Sequence, residues 1–259
     1  GLAYNTINVR KAAIAAQHEL VNGMSIAKHV LIHQAMTAVF NLKPPMPRYT
    51  GTWDVDTVLK YIKSLPANNI LDTLLLTKKL TLLLALSTAS RASDLQALNL
   101  EFMTDKGDEI TFQLPTLTKT RTRKNPGIVS VTVTSVPDPD LDVVACLKYY
   151  ISHTLAWRTS SEYHQLLLSS VAPHKPVVSS TISGWLLSLL GAAGIDTETF
   201  KGHSTRSAAT SKTKKAGLSV ADIMKMAHWK SSSTFRRFYD RSETTSTKKT
   251  FGQLVLSTE

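Results

Sequence analysis

Four short stretches carry residue types that can act on a phosphate. Arg91 directly follows the most apolar stretch of the chain and stands three residues before Asp94. A guanidinium leaving a buried segment needs a partner, and a carboxylate three residues on can orient it. A basic run follows, with Lys119, Arg121, Arg123 and Lys124 inside six residues. His203-Ser204-Thr205-Arg206 then sets an imidazole and a guanidinium at i and i+3, which share one face at a helix start. The N–H groups of such a first turn already favour anions. Last come His228-Trp229 and, ten residues beyond the tryptophan, Tyr239 at the end of Ser233-Thr234-Phe235-Arg236-Arg237-Phe238-Tyr239. Taken singly, each stretch has an ordinary reading: an i,i+3 salt bridge, a solvated basic loop, a helix cap, a boundary tyrosine.

These residues need elements to hold them. The apolar segment 70–86 is hydrophobic nearly all round and predicts a buried central helix ending just before Arg91. Segments 109–114 and 128–133 alternate like strands and flank the basic run, which predicts a hairpin with a long basic tip. A strand-like segment near 166–170 is expected to join that sheet. Helical patterns cover 5–21, with Thr6 as its cap, and 25–40. Another starts at Trp53-Asp54-Val55-Asp56 and ends near Leu65-Pro66. Further helices are expected at 141–153, 179–193, 204–216 and 219–227, with Gly217 as a C-terminal cap and Ser219 to Asp222 as a capping box. Pro44, Pro45 and Pro47 cannot continue a helix and mark a boundary. The expected organisation is a helical segment 1–42, a linker 43–52 and a main domain 53–259. The fold class is mainly α with a small antiparallel β-sheet (α+β).

The composition narrows the partner. Among 259 residues there are 30 Lys+Arg against 19 Asp+Glu, a formal net charge of +11. A field of that sign favours polyanions, nucleic acid first and acidic membrane second. Further basic clusters stand at Lys212, Lys214 and Lys215, at Arg236 and Arg237, and at Lys248 and Lys249. The longest apolar run is broken by Thr77, Lys78 and Lys79, too short and interrupted to span a bilayer. The single cysteine, Cys146, excludes an internal disulfide framework and a cysteine-only metal cluster. His29 and His33 are i,i+4 on an expected helix, a metal-pair spacing without an evident third ligand. The chain opens Gly1-Leu2-Ala3 without methionine, which is expected of an excised fragment lacking an N-terminal part.

In this order, Arg91, basic hairpin, His203-x-x-Arg206, His228-Trp229 and Tyr239 resemble the catalytic domain of the tyrosine recombinases, the phage-integrase family, from about Trp53 to Arg241. Residues 1–42 are similar to the last helices of that family's core-binding domain. The phrases Leu117 to Thr120, Pro173 to Val177, Ala193 to Thr197, His203 to Arg206 and Ser233 to Tyr239 are similar to those of eukaryotic recombinases carried by DIRS-like and Ngaro-like retrotransposons and Crypton elements.

The resemblance implies metal-free phosphoryl transfer on duplex DNA, with no cofactor and no small-molecule substrate. Tyr239 would be the nucleophile, Arg91 and Arg206 the arginine pair, and Asp94 the acidic position behind the first of them. His203 would accept the tyrosine proton or orient the phosphate. Lys119, with Lys124 as second choice, would protonate the leaving oxygen. Trp229, preferred to the adjacent His228, would fill the family's His/Trp position. Arg121, Arg123, Lys124, Lys212, Lys214, Lys215, Arg236 and Arg237 would grip DNA. The family acts as a tetramer on DNA without membrane involvement, and the subfamily resemblance implies a nuclear location. A domesticated, catalytically silent DNA binder and a type IB topoisomerase-like activity are the alternatives, with an acidic-membrane or protein-interaction module further off.

Overall fold

A computed structural model of the chain describes residues 1–45, 51–114, 129–159 and 163–227. The chain divides into two compact units, Gly1–Arg48 and Tyr49–Glu259. The first holds α1 (Tyr4–Gln17), a single 3-10 turn at Ile26–Lys28 and α2 (Val30–Leu42). Tyr4 meets Phe40 edge to face at 5.3 Å between ring centres.

Both helices depart from the expected bounds. Thr6 does not cap α1; Ala3 stands at the N-cap, without a side-chain bond. The helix stops at Gln17 because Asn22 and Gly23, both at positive φ, close a tight turn that pairs Val21 with Met24. An Asn-Gly dipeptide is the signature of that turn. The helix expected from 25 starts only at Val30, where the His29 ring Nδ1 accepts the Leu31 N–H at 3.3 Å. Among the described residues no third ligand joins His29 and His33.

The second unit is built around α4 (Thr73–Thr88), which follows α3 (Val55–Ser64). In α3, Val55, Val58 and Ile62 recur on one face and are buried, and the Asp54 carboxylate caps its start by accepting the Asp56 N–H at 2.9 Å. Ten of the sixteen residues of α4 are buried, including three threonines and Lys79. The threonines are tolerated because their hydroxyls bond back to the helix: Thr77 to Thr73 O at 2.6 Å, Thr81 to Thr77 O at 2.7 Å, Thr88 to Leu84 O at 2.6 Å. Lys79 donates to Asn68 Oδ1 at 2.9 Å.

After α5 (Ala92–Gln96) come three antiparallel strands in the order β1 (Met103–Asp105), β2 (Glu109–Leu114), β3 (Val129–Thr134). Phe112 pairs with Val131 and Ile110 with Val133, so alternate residues of both strands face the core. The two strands expected around the basic tip are present; the third is not at 166–170 but at β1. Leu166, Leu167 and Leu168 are buried in succession, with their backbone engaged elsewhere. Leu166 N–H donates to Leu98 O at 2.8 Å, and Leu168 N–H to the Tyr150 hydroxyl at 3.1 Å.

The remaining helices are α6 (Val143–His153), α7 (Leu155–Thr159), α8 (Ser179–Ala192), α9 (Ser204–Lys215) and α10 (Val220–Met226). All but the short α7 were expected. Gly217, at φ +96°, ends α9 with two back-bonds, Gly217 N to Lys214 O and Leu218 N to Thr213 O. Helix α4 lies against α6, α8, α9 and β3. Among the described residues no helix is long and apolar enough to cross a membrane.

Cys146 lies buried on α6, and burial pushes its thiol from an ordinary 9.0 up to about 12. Above pH 9 the unfolded chain loses this proton while the folded chain keeps it, so stability falls as pH rises through that window. The slope from this one group is at most about 1.4 kcal/mol per pH unit. Tyr150, whose hydroxyl is raised by burial, adds in the same direction. Urea midpoints between about pH 8.5 and about pH 10.5 are expected to fall less steeply for Cys146→Ala than for the parent chain.

Candidate active site

Helix α4 ends in a left-handed residue, Ala89 (φ 49°, ψ 30°). The chain therefore turns sharply, and Arg91 becomes the N-cap of α5. Asp94, buried on α5, accepts the Arg91 backbone N–H at 3.1 Å and stands 3.6 Å from its Nη1. One carboxylate thus fixes both the backbone and the guanidinium of Arg91, whose side chain is 23% exposed. Helix α5 is tied in turn to α8, where Gln96 Oε1 accepts the Ser179 N–H at 2.8 Å.

Between α8 and α9 the chain passes close over α8 at Gly202. A Cβ there would stand 2.7 Å from Ser183 O, so only glycine allows this approach. His203 follows as the N-cap of α9, exposed and without a capping bond from its ring. Ser204 is buried, and its hydroxyl accepts the Trp53 indole N–H at 2.8 Å.

Arg206, in the first turn of α9, is only 3% exposed. Its two terminal nitrogens donate to Ala89 O, just past α4, and to Ala227 O, just past α10. One guanidinium therefore joins the ends of two helices to a third. Each terminal nitrogen carries a second N–H besides the one used here.

Arg91, His203 and Arg206 share a cleft of about 390 Å³, together with the serines Ser90, Ser179 and Ser183. Among the described residues no carboxylate lines it. Two arginines, a histidine, serines and the N-terminal end of the twelve-residue α9 line it. That donor set suits a tetrahedral anion whose oxygens gain charge.

The model of the phage integrase family matches residues 54–245. The chain belongs to the phage integrase family, the tyrosine recombinases. No curated protein sequence gives a match. Among solved structures, XerA recombinase is similar with a TM-score of 0.54 at 14% identity, over 98% of this chain and 80% of that one. The Tn1549 transposon integrase in complex with circular intermediate DNA gives 0.56 at 13%, over 98% and 78%. The XerH recombinase bound to difH substrate gives 0.55 at 10%, over 91% of this chain. This chain spans 66% of the length of that XerH chain. At such identities the likeness establishes the fold: mainly helical, with the small antiparallel sheet expected from the sequence.

Within this integrase-family fold, three of the sequence-derived site residues, Arg91, His203 and Arg206, line one cleft, and a fourth, Asp94, holds Arg91. Lys212, Lys214 and Lys215 lie on the last turn of α9, about 9–14 Å of helical rise beyond Arg206. Lys212 is ion-paired with Asp56. Lys119, Arg121, Arg123, Lys124, His228, Trp229, Arg236, Arg237 and Tyr239 lie outside the described residues. Two links approach them: β2 and β3 pair as far as Leu114 and Val129, and Ala227, held by Arg206, immediately precedes His228.

The cleft and its supports also include residues that the sequence did not single out. Ser179 and Ser183 had no signal beyond a helix start, and the carbonyls of Ala89 and Ala227 had none. Gly202, directly before His203, was not singled out either; its glycine identity is the one local signal of the close approach to Ser183. Elsewhere in the second unit, Tyr150 is fully buried with its hydroxyl accepting the Leu168 N–H, and Trp157 stacks on His174 with ring centres 3.7 Å apart.

Proposed function

We propose that this chain is a site-specific DNA recombinase that cuts and rejoins duplex DNA through a 3′-phosphotyrosyl intermediate, serving the integration of a transposable element. The observation that carries this reading is the convergence of Arg91, Arg206 and His203 on one cleft that, among the described residues, no carboxylate lines. The XerH and Tn1549 structures are complexes with DNA, which supports the choice of duplex DNA as the partner.

The scissile phosphate sits between the two guanidiniums. The Tyr239 hydroxyl attacks phosphorus and its proton passes to His203. The bond from phosphorus to the 5′-oxygen breaks, and Lys119, or Lys124 in its stead, protonates the departing oxygen. Arg91 and Arg206 neutralise the charge that builds on the non-bridging oxygens, and the Trp229 indole N–H, in preference to His228, bonds one of them. A 5′-hydroxyl from another strand then attacks the same phosphorus and releases the tyrosine. Each transfer replaces one phosphoester by another, so no nucleotide cofactor is consumed.

In this reading the basic residues Arg121, Arg123, Lys214, Lys215, Arg236 and Arg237, with Lys212, track the DNA backbone. Residues 1–42 form the end of a core-binding domain, joined by 43–52 to the catalytic domain 53–259. The protein works as a tetramer, two protomers per site, in the nucleus. Its sequence phrases support an origin in a DIRS-like, Ngaro-like or Crypton element.

The test uses nicked duplexes with randomised centres, incubated with the chain in EDTA, so that cleavage releases a short fragment and traps the intermediate. A protein–DNA adduct stable to denaturing gels is expected, and its DNA-bearing peptide is expected to contain Tyr239. An adduct through another residue refutes the nucleophile, and the absence of any adduct refutes the enzymatic reading.

A further inference from the structure

We infer that Trp53 is a positioning residue for the recombination reaction: through Ser204 it holds the start of α9, and with it His203 and Arg206, in the cleft. This rests on the recombinase reading above.

The argument starts from burial. Trp53 is 4% exposed and Ser204 1% exposed. An indole N–H taken out of water needs an acceptor, and Ser204 Oγ at 2.8 Å is that acceptor. Ser204 is the first residue of α9 and directly follows His203. Arg206 is two residues further on, about 200° around the helix. The indole therefore braces the side of α9 turned away from the face on which Arg206 reaches Ala89 and Ala227.

A second tie supports this placement. Three residues after Trp53, Asp56 pairs with Lys212, which stands eight residues after Ser204, about 80° further round α9. One short window, Trp53 to Asp56, thus grips α9 at both ends. The two ties differ in kind: the Asp56–Lys212 pair is exposed and weak, whereas the Trp53–Ser204 bond is buried and directional. A small tilt of α9 about its far end moves His203 and Arg206 most, because they lie nearest the Trp53 end. Displacements on the order of 1 Å at a reacting group cost up to about 10²-fold in rate.

The experiment compares Trp53→Phe, Ser204→Ala and the double variant with Ile62→Val. Phenylalanine removes the N–H together with part of the ring, whereas Ser204→Ala keeps the indole and removes only its acceptor, so agreement between the two assigns the effect to the bond. Ile62 is buried on α3 and does not line the cleft, and its variant supplies a comparable loss of stability while leaving the Trp53–Ser204 bond intact. Two readouts are taken: the single-turnover rate of adduct formation on the nicked duplexes at saturating DNA, and the proton resonances of the His203 ring in the unliganded protein. Trp53→Phe is expected to slow the rate roughly 10-fold or more while half-saturating DNA changes by less than about twofold. The double variant should be no slower than the worse single one, because both remove the same bond. The His203 resonance should shift in Trp53→Phe and stay in place in Ile62→Val. A Trp53→Phe rate and a His203 resonance both equal to those of Ile62→Val overturn the inference. If the parent chain forms no adduct, it is the recombinase reading that fails. The His203 resonance then decides alone whether Trp53 positions the start of α9: a shift supports it, and none overturns it.

Discussion

Arg206→Ala is expected to abolish measurable recombination and to weaken the fold at the same time. The guanidinium is almost fully buried and donates to two main-chain carbonyls, Ala89 O and Ala227 O. Removing it leaves two buried acceptors without this donor, a cost of about 3 kcal/mol in total. For a domain of this size that is roughly a 6–12 °C drop in Tm. The rate should fall further than stability explains, by about 10²- to 10³-fold, the usual result of removing one anion-stabilising donor. Arg206→Lys tests whether the planar fork, rather than the charge alone, is needed. A single ammonium keeps the charge but cannot span two carbonyls as a planar fork does. Its Tm is therefore expected near that of the alanine variant, and its adduct rate no more than slightly above it. Thermal unfolding together with single-turnover cleavage well below both midpoints checks this. A Lys variant with parental Tm would show that the fork to Ala89 and Ala227 is not structural.

Arg91→Ala is expected to give the opposite balance: a loss of roughly 10²-fold in adduct formation with Tm within about 2 °C of the parent. Arg91 is partly exposed, and its nearest carboxylate, Asp94, also holds the Arg91 backbone N–H, a bond that survives side-chain truncation. Arg91→Lys should recover part of the rate, because the cleft leaves room for an ammonium to approach an anion as a point charge. The comparison is made at saturating DNA, so that weaker binding does not pass for slower chemistry. A parental rate in Arg91→Ala would remove Arg91 from the site. A large loss of Tm would give it the structural role assigned here to Arg206.

The contrast between these two arginines marks what the sequence by itself determined. The largely buried α4, the paired strands β2 and β3, and the start of α9 at His203-Ser204 were legible, because periodicity, caps and turn residues act within a few positions. The Asn22–Gly23 turn is as local, yet the helical pattern of 5–21 runs up to it, and α1 is shorter than that pattern. The order of the motifs along the chain was legible too, and with it the family. Tertiary structure alone decided which side chains the cleft gathers and what supports them. Arg206 reaches Ala89 across 117 positions, and Trp53 reaches Ser204 across 151. No local pattern announces a carbonyl as the acceptor of a distant guanidinium, since every residue carries one. The third strand shows the same limit: Leu166 to Leu168 look like a strand, yet their backbone groups pair with Leu98 and the Tyr150 hydroxyl, and β1 takes the sheet edge. Short windows set the elements because their hydrogen bonds and caps close locally. Burial set the site, because a buried donor must find its acceptor wherever packing brings one.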